Sequence, residues 1–201
     1  MADSTSHAVV GVVLRAAGDH LEVLLAGDGL PAAPLEHGES LEEALARAVD
    51  TRRLAHLEQL ETRALERGVV TAYLGLVRRD DELDGLWLRV GRLPQLTPDE
   101  SSFVAAGMSR LRAKLSYTNL GFALAPSTFT VSELREVYVA ALGHDVSATN
   151  LQRVLVRRGV LERVDGRRAP GRTGGRPAAL FRFAPDRLEV TDQFAALRPP
   201  R

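Results

Sequence analysis

STFTVSELREVYVAALG (127–143), TNLQRVLVRRGVLE (149–162) and GRTGGRPAALFRF (171–183) follow one another near the end of this 201-residue chain. Thr130-Val131-Ser132-Glu133 is a capping box, the threonine closing a helix start and the glutamate reaching back to it. Val131, Leu134, Val137, Tyr138 and Leu142 share one helical face, and Gly143 stops the helix. Ser147 caps a further helix, with Leu151, Val154 and Leu155 inside and Gly159 at its end. Residues 161–164 and 180–183 read as two short strands, with a Gly/Arg/Pro loop (165–177) between them. Upstream, Thr97-Pro98-Asp99-Glu100 supplies a cap, a first-position proline and first-turn acids. Phe103, Met108, Leu111 and Leu115 give that helix its apolar face. Helix, helix, helix, hairpin is the order of a winged helix-turn-helix.

Before Pro94 the pattern is different. AVVGVVL (8–14) reads as a buried strand and 21–25 as its hairpin partner across Gly18-Asp19. Ser40-Leu41-Glu42-Glu43 is a second capping box, opening a helix that runs through Leu45 and Val49. VVTAYLGLV (69–77) is long enough for a central strand, and GLWLRV (85–90) reads as another. Strands around a helix make this half α/β or α+β. No internal repeat is visible, and the tail from Ala195 is expected to fray.

Composition alone is uninformative: 26 Lys+Arg balance 26 Asp+Glu, and 45% of residues are hydrophobic. Splitting the chain changes this. Residues 1–100 hold 18 acids and 10 bases, a balance of −8; residues 101–201 hold 8 and 16, a balance of +8. Arg153, Arg157, Arg158, Arg163, Arg167, Arg168, Arg172, Arg176 and Arg182 fall within 150–182, opposed by Glu162 and Asp165 alone. A charged helix face by itself reads as solvated surface. The basic loop beside it, with glycines at 171, 174 and 175, turns the reading toward phosphate contact. Arg182 reads better as a strand salt bridge. The absence of cysteine excludes disulfides, cysteine-ligated zinc and a cysteine nucleophile. The five histidines show no ligand spacing. No signal sequence or apolar span is apparent, so a cytoplasmic protein without membrane contact is the expectation.

The three stretches quoted first resemble the C-terminal domain of the Nudix-related transcriptional regulators, the NrtR family. The likeness rests on the ELREVY core, on Gly175-Arg176-Pro177-Ala178 and on Phe181-Arg182-Phe183, in order and at the right spacing. The family's recognition helix begins Asp-Lys-Arg-Asn-Phe-Arg-Arg. Here Ser147-Ala148-Thr149-Asn150-Leu151-Gln152-Arg153 stands in its place, keeping Asn150 and Arg153. Asn and Gln can pair with adenine and Arg with guanine. The candidate DNA contacts are therefore Ser147, Thr149, Asn150, Gln152 and Arg153. Arg157, Arg172 and Arg176 are assigned to phosphate or the minor groove.

The first half resembles a degenerate Nudix box. In Nudix hydrolases, clustered helix glutamates hold Mg²⁺, which polarises a pyrophosphate and activates water. Leu30-Pro31, Glu39 and Arg47 keep the outer frame. The paired glycines are Ala32 and Ala33, the three helix glutamates fall on Ala48, Thr51 and Arg52, and Leu54 replaces the closing glycine. Leu57-Glu58-Gln59-Leu60 resembles the element that follows the box, and a short loop over 63–68 is expected after it. No metal or cofactor is expected. The resemblance implies a ligand of the ADP-ribose or NAD type, and His37, Glu39, Arg47 and Arg52 are its candidate contacts. An arginine at 52, in place of a carboxylate, could neutralise a ligand phosphate without metal.

The expected architecture is α+β: a Nudix-like α/β/α sandwich (1–95), a linker helix region (96–124), a winged helix (125–190) and a tail (191–201). The expected function is a non-enzymatic, homodimeric repressor on a palindromic double-stranded operator, sensing a nucleotide or sugar phosphate. Three alternatives stand beside it: an active hydrolase of ADP-ribose-type pyrophosphates, a ligand-free regulator whose Nudix fold is scaffold, and a protein adaptor that does not bind DNA.

Overall fold

The computed structural model describes residues 6–66, 68–169 and 177–192. Contacts divide the chain into two compact units: residues 1–15, 21–77 and 81–110, and residues 16–20, 78–80 and 111–201. The expectations for Arg172, Arg176, the glycines at 171, 174 and 175, and the tail lie outside the described residues.

The first unit is built on β1 (His7–Ala17), β2 (His20–Leu25), β3 (Ala32–Pro34), β4 (His56–Leu65), β5 (Gly68–Val77) and β6 (Leu86–Arg89). They form one sheet in the order β4-β5-β1-β2-β6, with β3 also pairing with β1. β1 runs parallel to β5, with Val9 opposite Thr71 and Val13 opposite Gly75. Both strands are apolar on both faces, as interior strands must be when helices cover the two sides. Val9, Val13, Tyr73 and Val77 face α1 (Leu41–Ala48) and share a core with its Ala44 and Leu45. The alternate residues face α2 (Pro98–Tyr117): a Cβ on Gly107 would come within 2.9 Å of Val12 and 3.6 Å of Leu74. Glycine at 107 thus lets the helix backbone approach the sheet. The α/β/α sandwich is present.

Two details depart from the expectations. The stretch 56–65 is a full strand, β4, which takes in residues 63–65 of the short loop expected over 63–68 and pairs Leu65 with Gly68 of β5. β4 lies at the sheet edge, and a bulge between Gln59 and Glu61 breaks its alternation, which explains why its polar sequence did not read as a strand. The box helix is also shorter than expected. α1 ends at Ala48 with Val49 extended (φ −150°, ψ 144°), and Asp50 starts a separate 3₁₀ turn, Thr51–Arg53.

The second unit contains the end of α2, a 3₁₀ turn at Leu120–Ala123, α3 (Val131–Leu142), α4 (Ala148–Arg157) and the hairpin β7 (Leu161–Arg168) with β8 (Ala178–Phe183). Both sides of the Thr130/Glu133 capping box are made, and Gly143 closes α3 at φ 77°. Leu134, Val137 and Tyr138 are fully buried beside Leu151 and Leu155 of α4. Phe129 and Phe181 form a β-bridge that ties the entry of α3 to the hairpin. The hairpin is longer than expected: β7 runs to Arg168 through a bulge at 164–167, so residues 165–168 are strand rather than loop. Gly166, at φ 102°, supplies the left-handed residue there. This is a winged helix. Among the described residues, no helix is long and apolar enough to cross a membrane.

Candidate nucleic-acid interface

α4 is two-faced. Leu151, Val154 and Leu155 are buried where the helix packs on α3 and β7, while Thr149, Asn150, Arg153, Val156 and Arg157 are exposed. Gln152 is half-buried at the margin. Burial of one stripe fixes the rotation of the helix and so decides which side chains are presented outward. Ser147 accepts a hydrogen bond from the Asn150 N–H at 3.4 Å, so its hydroxyl serves as the N-cap. Arg153 Nη2 donates to Asn150 Oδ1 at 2.8 Å, holding a guanidinium and a carboxamide side by side. Among the described residues, no carboxylate pairs with Arg153 or Arg157. The outward face therefore carries uncompensated positive charge.

The other arginines divide by role. The Arg158 side chain is buried and bonded to the Ser116 carbonyl (2.7 Å) and Asp192 (3.0 Å), so it belongs to the core of this unit rather than to a basic surface. Arg182 pairs with Glu162 across the hairpin at 2.8 Å, as the strand-bridge reading requires. Arg168 reaches the Thr128 carbonyl and Glu133, whereas Arg163 and Arg167 are exposed on β7.

In the first unit, Arg47 donates from Nε to Glu39 (2.9 Å) and also bonds Glu36 and the Pro34 carbonyl. Glu39 additionally accepts the Glu36 N–H. The Arg47 hydrogen bond, supported by that N–H, holds the Glu39 carboxyl below its ordinary pKa. This carboxylate has its lone pairs committed to the loop that leads into α1. Arg52 does not join the group. Its side chain is 89% exposed and paired with Asp50, and its place on the 3₁₀ turn takes it off the box helix. His37 is exposed in the loop.

A cleft of about 580 Å³ opens beside the end of α1. The end of β2 (24–27), Pro31, Ala48–Asp50 and residues 82–86 line it, with Arg53 as its cation beside the carboxylates of Asp50, Glu82 and Asp84. None of His37, Glu39, Arg47 or Arg52 lines it. The residue next to the one singled out from the sequence does, because the 3₁₀ turn exchanges their directions. Only the tertiary course of 49–53 could have revealed this.

A Nudix magnesium site does not fit these residues. Ala48 and Thr51 offer no carboxylate, Arg52 is a cation, and the helix that would align them stops at Ala48. Among the described residues, no group of three or more His, Asp or Glu is placed to hold a metal ion.

Comparison with known proteins agrees with this two-unit organisation. Residues 121–183 match the NrtR DNA-binding winged helix domain. A curated relative, the ADPR responsive transcriptional repressor NtrR of Acinetobacter baylyi, is 30% identical over 113 residues, covering 56% of this chain. The match spans 44% of that protein, less than half its length. The crystal structure of Shewanella oneidensis NrtR complexed with a 27mer DNA superposes with a TM-score of 0.71 at 25% identity, covering 89% of this chain and 94% of that one. A MutT/nudix family protein from Enterococcus faecalis shares the fold, with a TM-score of 0.65 at 18% identity over 91% of this chain and 89% of that one. The chain joins an N-terminal Nudix-like domain to a C-terminal winged helix domain that is similar, over residues 121–183, to the NrtR DNA-binding winged helix.

Proposed function

We propose that this chain is a transcriptional repressor that binds double-stranded DNA through α4 and the hairpin, and that its Nudix-like domain senses a nucleotide ligand without hydrolysing it. The observation that carries the DNA reading is the outward face of α4, where Thr149, Asn150, Arg153 and Arg157 stand exposed over a buried apolar stripe. Thr149, Asn150, Gln152 and Arg153 are the base-reading set, Ser147 presents the helix start, and Arg157, Arg172 and Arg176 meet phosphate or the minor groove. The chain acts as a homodimer on a two-fold operator. The Shewanella relative was crystallised with DNA, which supports this reading.

The Acinetobacter relative is named for its response to ADPR, and that supports an ADP-ribose-type effector. The cleft beside α1 is the place we assign to it, with Arg53 as a phosphate partner. Glu39 and Arg47 act by holding the loop that positions the cleft wall. The non-enzymatic assignment rests on the absence of box carboxylates. An effector acts only if it binds the free and DNA-bound forms with different affinity.

The test is selection of bound DNA from a random pool, with and without ADP-ribose, followed by salt titration. A recovered two-fold sequence is expected, with log K falling by about 0.9 per log unit of salt for each neutralised phosphate. No salt-dependent binding to any sequence would overturn the repressor reading in favour of a protein adaptor. Magnesium-dependent release of AMP from ADP-ribose would overturn the non-enzymatic reading. An affinity unmoved by ADP-ribose, NAD and sugar phosphates would leave the first domain as scaffold.

A further inference from the structure

Val156 sits in the third turn of α4 with half of its surface exposed (50%), between Arg153 and Arg157. The buried stripe of α4 is Leu151, Val154 and Leu155, and Val156 lies outside it. Valine is also a poorer helix former than alanine because its branched Cβ is restricted against the preceding turn. Its position follows from helical spacing. Thr149, Gln152, Arg153 and Val156 stand at i, i+3, i+4 and i+7, which is one helix face over two turns. An isopropyl group thus ends the row of polar and cationic side chains that faces outward.

We infer that Val156 reads a thymine by packing against its C5-methyl group in the major groove, and so is a specificity-determining residue of this helix. The inference rests on the DNA-binding reading above. The thymine methyl is the apolar feature of the major-groove edge, and an aliphatic side chain is its natural partner. Three residues of helix rise about 4.5 Å, against about 3.4 Å per base pair. The thymine therefore lies one or two base pairs from the base met by Arg153. A contact with phosphate is excluded for this side chain, which has no donor.

The experiment is a thymine-to-deoxyuridine scan of the selected operator, which deletes one methyl group at a time. The wild-type chain and Val156→Ala are compared at each position. Wild-type affinity is expected to fall about fourfold at one symmetry-related pair of positions, the magnitude of one buried methyl group. Val156→Ala should bind the unmodified operator more weakly by a similar factor and should be indifferent to uracil at that pair. Its thermal midpoint should be unchanged or raised, which separates a lost contact from a damaged helix. The inference is overturned if no uracil weakens the wild-type complex, or if uracil weakens both proteins equally. It is likewise overturned if Val156→Ala alters the oligomeric state and leaves base preference intact, which would make Val156 an interface residue. In each of these cases the selected operator still binds and the DNA-binding reading stands. Absence of any selected or salt-dependent binding would sink both together.

Discussion

Replacing Asn119 tests how the winged helix secures the chain that returns from its hairpin. Asn119 is fully buried just after α2. Its Nδ2 donates to the Pro185 carbonyl (3.1 Å) and the Arg187 carbonyl (2.8 Å), and its Oδ1 accepts from the Glu189 N–H (2.7 Å). One side chain therefore pins three backbone groups of the segment after β8. In Asn119→Ala all three bonds vanish. At about 1 kcal/mol net for each bond, the loss is about 3 kcal/mol, and partial hydration of the freed carbonyls limits it from growing further. The assay is amide hydrogen exchange in α3 and α4, which reads this unit by itself. Core amides should exchange roughly 150-fold faster, about 3 kcal/mol. Asn119→Asp makes a sharper test. Its carboxylate keeps the bond from Glu189 but faces two carbonyls it cannot donate to, so burial and repulsion raise its pKa. A group with a raised folded-state pKa destabilises as pH climbs through its unfolded value, about 3.9. The deficit of Asn119→Asp should accordingly widen between about pH 4.5 and pH 7.5 by at least about 1.4 kcal/mol. Exchange within threefold of wild type in Asn119→Ala, or a pH-independent deficit in Asn119→Asp, would refute this account of the latch.

Three further outcomes are expected. Gly121→Ala should cost about 1–3 kcal/mol by urea unfolding, because the added Cβ would lie 2.7 Å from the Tyr138 hydroxyl and 3.0 Å from Phe183 in a filled core. Asn150→Ala should relax discrimination at the base met by Arg153 as well as at its own, since Arg153 Nη2 is held by the Asn150 carboxamide; a double-mutant cycle on operator affinity should show coupling of about 0.5–3 kcal/mol. The first domain should lose stability in acid. Glu39 is held low by Arg47, Glu43 by the Ser40 backbone, Asp50 by Arg52, and Glu100 by N–H bonds from Leu30 and Thr97 that outweigh its burial. Lowered carboxylates stabilise above their unfolded pKa, near 4, and that contribution disappears as pH falls through the lower folded values. The thermal midpoint should therefore hold from pH 7 to about 5 and drop below about 4.

The parts of the fold that rest on neighbouring residues were legible in the sequence. Two capping boxes, at Ser40/Glu43 and Thr130/Glu133, close within three residues and form as read. The apolar runs of β1 and β5 declare buried strands because both faces are covered. The two-faced pattern of α4 is written in its periodicity. The tertiary structure decided what depends on partners distant along the chain. β4 is polar and bulged, and becomes a strand because β5 supplies its hydrogen bonds. Arg158 sits in a run of arginines that composition cannot sort, yet Ser116 and Asp192 draw it inside. Arg52 and Arg53 are adjacent and chemically alike, and only the break after Ala48 turns one to solvent and the other to the cleft. Sequence alone determined the two-part architecture and the two-faced α4, because capping and periodicity are local. Which arginine lines the cleft, which one holds the core, and which valine stays half-exposed on α4 depended on packing, because burial is a property of the surroundings rather than of the residue.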